Sequence, residues 1–248
     1  MGKYIYCITE AAEAESFGPL GIGGRADELT TITYRDITAV VSDSPVMRYP
    51  VSRENSLAHE RAIEAVFKGH TVLPVRFCSI AEDEAKVLTI LEREYDKFRG
   101  LLKEMRDKVE VGVKAVFHET LIYQEILERY GEIRQRRDAV ASLPSQNAHW
   151  QLMGIGRMVE AALEAEKARV RGEIVEVLKG LCCDFRLTHR LLGERMIMNA
   201  AFLVDRDREA AFDRKMDELA ERYGEMVTFK YVGGFPPFNF VCVVLNVE

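Results

Sequence analysis

His59 and Glu60 are the residues of this chain that come nearest to a catalytic motif. They begin a predicted helix as His-Glu, but Arg-Ala-Ile follows, so the second histidine of the zinc-hydrolase pattern HExxH is missing. A zinc site is therefore not expected. Two structural interpretations remain open: a polar pair whose glutamate benefits from the helix dipole, or a specific hydrogen bond from His59 to the neighbouring sheet.

The remaining titratable residues form no catalytic or metal-binding pattern. Asp205, Asp207 and Glu209 have the chemistry of magnesium ligands, but at the start of a predicted helix they are more typical of capping. The other histidines are scattered without ligand spacing: His70, His118, His149 and His189. We expect no catalytic residue, no metal site and no cofactor.

Two segments have compositions that phosphate-binding sites also show. Gly18–Gly24 (GPLGIGG) lacks the Lys-Ser/Thr of a P-loop and the spacing of a dinucleotide-binding loop, so it is predicted to be a flexible connection. The charged run Arg134–Arg137 is more typical of a solvated helix face. With a net charge of −6, the chain is not expected to bind nucleic acid.

An aromatic segment near the end of the chain is the one candidate for binding. Gly233–Phe240 (GGFPPFNF) has two prolines, which hold the backbone extended and remove two amide donors, and three large apolar rings. The rings are expected to pack into a domain core or to contact a partner protein, and both roles are compatible. The candidate partner-binding residues are Phe235, Pro236, Pro237, Phe238 and Phe240.

The composition is that of a globular protein with two modest domains. The chain has 248 residues, of which 48% are hydrophobic and 30% charged. Its five cysteines form no CxxC pair, which favours buried, reduced thiols in a cytosolic protein. No basic-then-apolar leader and no apolar run of about 20 residues is seen, so a cytoplasmic location without membrane insertion is expected.

Hydrophobic spacing predicts an α+β protein. In the N-terminal part the predicted elements are a strand at Tyr4–Ile8, a hairpin of Leu29–Tyr34 and Ile37–Ser42, a helix capped by Ser52 or Asn55, a strand at Val72–Phe77, a long helix at Glu82–Arg106 and a strand at Glu110–Phe117. The proline inside Val72–Phe77 indicates an edge position, a bulge or a strand end. This order predicts a ferredoxin-like domain over residues 1–118.

The C-terminal part is predicted to be an α/β domain over residues 119–248, with long coiled-coil-like helices. Two long helices separated by a break at Leu143-Pro-Ser predict an antiparallel hairpin, with Glu166 or Lys167 interrupting the apolar seam of the second. The elements that follow are paired strands at Cys182–Leu187 and Met196–Val204, a helix at Arg208–Tyr223 ended by Gly224, and a strand at Met226–Val232.

The ordered motifs of the chain resemble the gas vesicle protein F/L family. They are His59-Glu60, Val72-Leu-Pro-Val-Arg-Phe77, Glu110-Val-Gly-Val-Lys114, Gly156-Arg-Met-Val-Glu160, Met198-Asn-Ala-Ala-Phe-Leu-Val-Asp205 and Gly234-Phe-Pro-Pro-Phe-Asn-Phe-Val241. Cys78 follows the VLPVRF motif at a position where the family usually has glycine. The resemblance runs over nearly the whole chain.

The resemblance implies a non-enzymatic accessory or minor structural protein that is required for gas vesicle assembly. Its partners would be the hydrophobic major shell protein and other gas vesicle accessory proteins, and its location the gas vesicle and the cytoplasm. The apolar seam of residues 82–106, the long helix and the aromatic segment are the candidate contact surfaces. The alternatives are a small-molecule-binding or enzymatic protein built on a ferredoxin-like sheet and, less favoured by the acidic charge, an RNA-binding module.

Overall fold

The protein is a mixed helix-and-sheet structure, which confirms the broad fold class. The computed structural model describes residues 1–10, 17–141, 145–188 and 193–246, without the side chains of residues 145–147. The chain forms two compact units, an N-terminal unit of Met1–Glu110 with Gly233–Glu248 and a second unit of Val111–Val232. The domain limits predicted from the sequence, 1–118 and 119–248, stay a prediction. The limits of the two compact units differ from the predicted domain limits, because the C-terminal segment Gly233–Glu248 belongs to the N-terminal unit.

The first sheet has the strand order β2-β3-β1-β4, with β5 also paired to β1. Its strands are β1 Gly2–Glu10, β2 Thr30–Tyr34, β3 Ile37–Ser44, β4 Val72–Pro74 and β5 Ile80–Ala81. The pairings between these strands are antiparallel, and Tyr34 opposite Ile37 closes the predicted hairpin. Strand β4 ends at Pro74, one of the outcomes that proline predicted.

Three helices pack on this sheet: α1 Arg53–Phe67, α2 Glu84–Arg93 and α3 Tyr95–Met105. Ser52 caps α1 by accepting a hydrogen bond from the amide of Asn55 at 3.1 Å. The prediction of one helix over residues 82–106 is wrong, because the chain breaks at Glu94 (φ −100°, ψ 10°). The apolar spacing continues across this break, so periodicity could not reveal it. Helices α2 and α3 bury Val87, Ile90, Leu91, Phe98, Leu102 and Met105 inside the N-terminal unit. Leu88 and Tyr95, which the apolar spacing also placed in the seam, are only half-buried.

The second sheet has the strand order β7-β8-β6-β9. Its strands are β6 Lys108–Phe117, β7 Asp184–Leu187, β8 Met196–Asp205 and β9 Val227–Phe235. Strands β7 and β8 are paired, as predicted, and the pairing is antiparallel. Helix α7 (Glu209–Tyr223) buries Phe212, Met216 and Leu219, and ends at Gly224, whose φ of 50° is accessible to glycine at little cost. No side-chain hydrogen bond caps this helix at Arg208, so the predicted capping role of the nearby acids is not seen at that position.

Three more helices complete the second unit: α4 Glu119–Arg129, α5 Gly131–Ala141 and α6 Ser145–Leu178. The first of the two predicted long helices is divided at Tyr130. The predicted break at Leu143-Pro-Ser lies at residues 142–144, outside the described ranges. Glu166 and Lys167 are both buried on α6, as their place in the apolar seam indicated. The coiled-coil-like character of these helices stays a prediction.

Two local expectations differ from the structure. Gly18–Gly24 is predicted to be a flexible connection, but Ile22 in this loop is buried and its amide donates a 2.8 Å hydrogen bond to the hydroxyl of Tyr6. The sequence also predicts buried thiols, yet of the five free cysteines only Cys7 is buried. The others lie in loops or beside strand ends, where burial is not required of a small side chain: Cys78, Cys182, Cys183 and Cys242.

Candidate partner-binding segment

The aromatic segment predicted to contact a partner begins with the last three residues of β9, Gly233–Phe235, and continues as a compact turn over residues 236–240. Pro236 and Pro237 are buried, whereas the rings of Phe235, Phe238 and Phe240 are half-buried. The amide of Phe238 donates to the carbonyl oxygen of Pro236 at 2.7 Å, and that of Phe240 to Pro237 at 3.0 Å. The prolines thus anchor the turn while each ring keeps part of its surface open. The structure brings the five predicted residues together, and their role in binding stays a prediction.

Asn239, within this turn, is held by a buried carboxylate. Its backbone amide donates to Oε2 of Glu110 at 2.7 Å, and its side-chain amide donates to Oε1 of the same residue. Glu110 is buried near the start of β6, where hydrogen bonds offset the unfavourable transfer of a carboxylate from water. The pair joins the turn to the first residues of β6, within the N-terminal unit. Sequence reasoning missed it, because the alternation of β6 places Glu110 on the same face as the exposed Lys114, opposite the buried Val109 and Val111.

The residues after the turn form a paired tail. Residues 241–245 alternate between buried and exposed, as an extended strand does. Val243 forms a parallel bridge with Val75; its amide donates to the carbonyl oxygen of Pro74 at 2.8 Å, and its own carbonyl accepts from the amide of Arg76 at 2.9 Å. The tail therefore extends the pairing of the first sheet beyond the point where β4 ends.

A chain of buried hydrogen bonds holds the segment on which the tail is paired. Nε2 of His59 lies 3.0 Å from the carbonyl oxygen of Val75. A carbonyl only accepts, so Nε2 carries the proton and Nδ1 is the acceptor. The hydroxyl of Tyr4 then donates to Nδ1 at 3.1 Å and accepts from the amide of Cys78 at 2.9 Å. We call these four residues the His59 chain.

The structure decides between the two interpretations of the His-Glu pair. The pair lies in the middle of α1 (Arg53–Phe67) and not at a helix start, so the predicted benefit to Glu60 from the helix dipole does not apply. Burial lowers the pKa of His59 to about 4, and the bond to Val75 offsets this only in part. The imidazole is therefore neutral at neutral pH, and both of its nitrogens are used by protein groups. The hydrogen bond to the sheet is the role that the structure gives it.

The other chemical candidates are not assembled into a site. Within residues 1–10, 17–141, 145–188 and 193–246, no group of three or more His, Cys, Asp and Glu side chains is arranged to hold a metal ion. The Arg134–Arg137 run is exposed on α5, where Arg136 pairs with Glu132 and Arg137 with Asp138. None of the described helices combines the length and the apolar character needed to cross a membrane.

Comparison with known proteins decides the family. The chain matches the family model described as Gas vesicle synthesis protein GvpL/GvpF over residues 2–242. It belongs to this family. The resemblance inferred from the ordered motifs is thereby confirmed, and family membership indicates a role in gas vesicle formation.

Individual members of the GvpL/GvpF family are similar to this chain over almost their full length. Gas vesicle protein F of Streptomyces sp. (strain CB03234) is 28% identical over 97% of this chain and 100% of its own length. Gas vesicle protein L1 of Halobacterium salinarum is 24% identical over 96% of this chain and 90% of its own. The crystal structure of GvpF from Anabaena sp. PCC7120 has a TM-score of 0.81 at 23% identity, with 96% of this chain and 97% of that chain covered. At that identity the structural likeness shows the fold.

Proposed function

We propose that this protein is a non-enzymatic accessory or minor structural protein that is required for gas vesicle assembly and binds the hydrophobic major shell protein. The observation that carries the proposal is the family match, which spans residues 2–242 and so includes residues of both compact units. Other gas vesicle accessory proteins are further expected partners. Its place of action is the cytoplasm and the growing gas vesicle, without nucleic acid, membrane or cofactor.

The surfaces available for an apolar partner are fewer than the sequence indicated. Most of the seam of residues 82–106 is buried inside the N-terminal unit, which removes it as a contact surface. Of the contact surfaces predicted from the sequence, two remain. One is the aromatic turn with its three half-buried rings, and the other is the start of α6, where Trp150, Leu152 and Met153 are exposed. Exposed apolar groups of this kind support binding of an apolar subunit.

Co-expression with the major shell protein tests the proposal. A tagged form of this protein should co-purify with the shell protein, and it should be required for buoyant cells. The proposal fails if cells lacking the protein still float and wild-type vesicles contain none of it. For the aromatic turn, F235A/F238A should weaken capture, whereas Leu57→Ala, which removes an exposed apolar side chain from α1, should leave it unchanged.

A second candidate function has one observation in its favour. A cavity of about 740 Å³ in the N-terminal unit is lined by three acids and three bases: Glu10, Asp36, Asp96, Arg99, Lys103 and Arg106. Such a cavity is what a small-molecule-binding or enzymatic protein requires. Arg106 pairs with Glu10, and Arg99 with Asp36, so much of this charge is already neutralised. A thermal-shift screen with nucleotides and metal ions tests it, because a ligand of the folded state must raise the unfolding temperature.

We also propose a ferredoxin-like topology for the N-terminal sheet. The order β4-β1-β3-β2 with antiparallel neighbours supports it, since a split βαβ arrangement places the first strand between the third and fourth. The packing of α5 against α6 supports a coiled-coil-like hairpin in the second unit. An experimental structure with measured helix-crossing angles tests both.

A further inference from the structure

A groove in the N-terminal unit combines exposed apolar side chains with two arginines. It consists of two adjoining cavities of about 600 and 320 Å³, and both are lined by Arg48, Arg76, Phe77 and Cys78. Arg48 lies between β3 and α1, and Arg76 follows β4, so two separate segments of the chain provide the two cations. We call this surface the Arg48–Arg76 groove.

The apolar lining of the groove is unusually open to solvent. Val46 is 63% exposed, Met47 51%, Val51 84% and Val244 60%. Val46, Met47 and Val244 line the larger cavity, and Val51 the smaller. Large apolar side chains that cluster around a concave surface are typical of a binding site for an apolar partner, whereas single exposed ones need no explanation.

The positive charges of the two arginines indicate that the partner carries a negatively charged group. Neither Arg48 nor Arg76 forms an ion pair with a carboxylate in the part of the chain that the structure describes. Glu60 is the one carboxylate among the described residues that line the groove. A guanidinium beside apolar surface is well suited to a carboxylate, which it binds through two parallel hydrogen bonds.

The backbone that lines the groove at residues 75–78 is held in place without a partner. The His59 chain holds Val75 and Cys78, and the tail pairs with Arg76 through Val243. Because the backbone on which Arg76 and Phe77 stand is held from both sides, binding would require little ordering of the protein. The surface is therefore preformed.

From this geometry we infer that the Arg48–Arg76 groove docks an apolar segment of a partner protein that carries an acidic side chain. The apolar residues lie in the groove and the carboxylate binds the two arginines. The inference rests on the proposed function, under which this partner is the major shell protein. It adds the docking surface and the chemistry that the docked segment must have.

Capture of co-expressed shell protein by the tagged full-length chain tests the inference. The double variant R48E/R76E should lower capture about tenfold or more, since it turns attraction into repulsion. R48K/R76K keeps the positive charges but not the paired hydrogen bonds of a guanidinium, so its binding should fall between that of the wild type and that of R48E/R76E. R61E/R134E makes the same charge change at two exposed arginines that line neither cavity, and it should bind like the wild type.

A site-specific cross-link gives an independent readout. A photo-cross-linking amino acid at position 47 should join the shell protein, and the cross-linked shell peptide should contain an acidic residue among apolar ones. Because Met47 is exposed, its replacement should not disturb folding, and equal unfolding temperatures of all variants verify this. A cross-linked peptide without an acidic residue would contradict the inference.

The outcomes separate the inference from the proposed function. If the wild-type chain captures no shell protein, both fail. If the wild type binds and folded R48E/R76E binds equally well, the inference about the groove is wrong while the proposed function stands.

Two other occupants of the groove can also be distinguished. A dimer that R48E/R76E dissociates without affecting capture would identify a second copy. If removing residues 247–248 destabilises the wild type but not R48E/R76E, the occupant of the groove is this segment. Either result overturns the inference.

Discussion

The carbonyl oxygen of Val75 accepts a 3.0 Å hydrogen bond from Nε2 of His59, which joins α1 to the segment that carries the C-terminal tail. The amide of Val75 in turn donates to the carbonyl oxygen of Tyr6 at 2.9 Å. Val75 also bridges to Val243 in parallel. One residue thus connects the sheet, a helix and the tail.

The free energy of unfolding should fall as the pH is lowered from 6.5 to about 4, because the folded protein keeps His59 neutral in this range. Its pKa is about 4 in the folded chain against 6.5 ordinarily, so the unfolded chain binds the proton first. The stabilisation is complete above pH 6.5 and is lost progressively towards pH 4. Between pH 7 and pH 5 this amounts to about 2 kcal/mol.

The variant His59→Gln isolates this contribution from those of the carboxylates. Its free energy of unfolding should be lower than that of the wild type at pH 7, but it should decline less between pH 7 and pH 5. Denaturant titrations at both pH values give the comparison. Identical pH dependence of the two proteins would mean that His59 is not held neutral by the fold.

Cys78→Gly should stabilise the protein. Cys78 has a φ of 66°, a region that costs an L-residue about 1 kcal/mol and glycine little. The loss of the thiol, which accepts from the amide of Tyr49 at 3.3 Å, offsets part of the gain. We expect a net gain of about 0.5 kcal/mol in the free energy of unfolding.

Cys78→Ala is the matched control, because it removes the same thiol but keeps the Cβ atom. It should not stabilise the protein. If alanine and glycine behave alike, backbone strain at position 78 is not the cause.

Glu110→Ala should loosen the aromatic turn and the tail that follows it. Two hydrogen bonds to Asn239 disappear, and the loss is expected to be about 1–3 kcal/mol. Asn239→Ala removes only the side-chain bond and should cost less. Hydrogen exchange at the amide of Val243 is the measurement, with faster exchange expected in Glu110→Ala. Unchanged protection of that amide would show that the tail is held independently of Glu110.

Glu166→Ala should destabilise the helical unit moderately. The carboxylate is only 3% exposed and accepts from Arg129 at 3.1 Å, Tyr130 at 3.2 Å and Arg169 at 2.9 Å. The two arginines are 44% and 39% exposed and can be solvated after the change, so we expect about 1–2 kcal/mol.

Two further variants place this value in context. Glu166→Gln keeps one acceptor oxygen and should lose less than alanine. Glu176→Ala, whose carboxylate is 71% exposed beside Lys179, should change stability by less than about 0.5 kcal/mol. Thermal unfolding measures all three proteins. A larger loss at Glu176 than at Glu166 would contradict the assigned importance of burial.

Local sequence pattern determined the elements whose signals lie within a few residues. The stripe of α7 and its end at Gly224 and the Tyr34–Ile37 hairpin follow from the spacing of apolar residues and from turn and cap chemistry. The sequence narrowed the cap of α1 to Ser52 or Asn55, and the structure decides for Ser52. The ordered motifs determined the family for the same reason, since they are read along the chain. These features require no knowledge of distant contacts.

The tertiary structure alone decided the features that join distant residues. Glu110 and Asn239 are 129 positions apart, and no periodicity relates them. The break at Glu94 is invisible to apolar spacing, because both helices bury the same seam. The Arg48–Arg76 groove exists only because two segments separated by α1 meet beside the tail. Burial and charge pairing at such places depend on which segments meet in space, and short-range pattern does not contain that information.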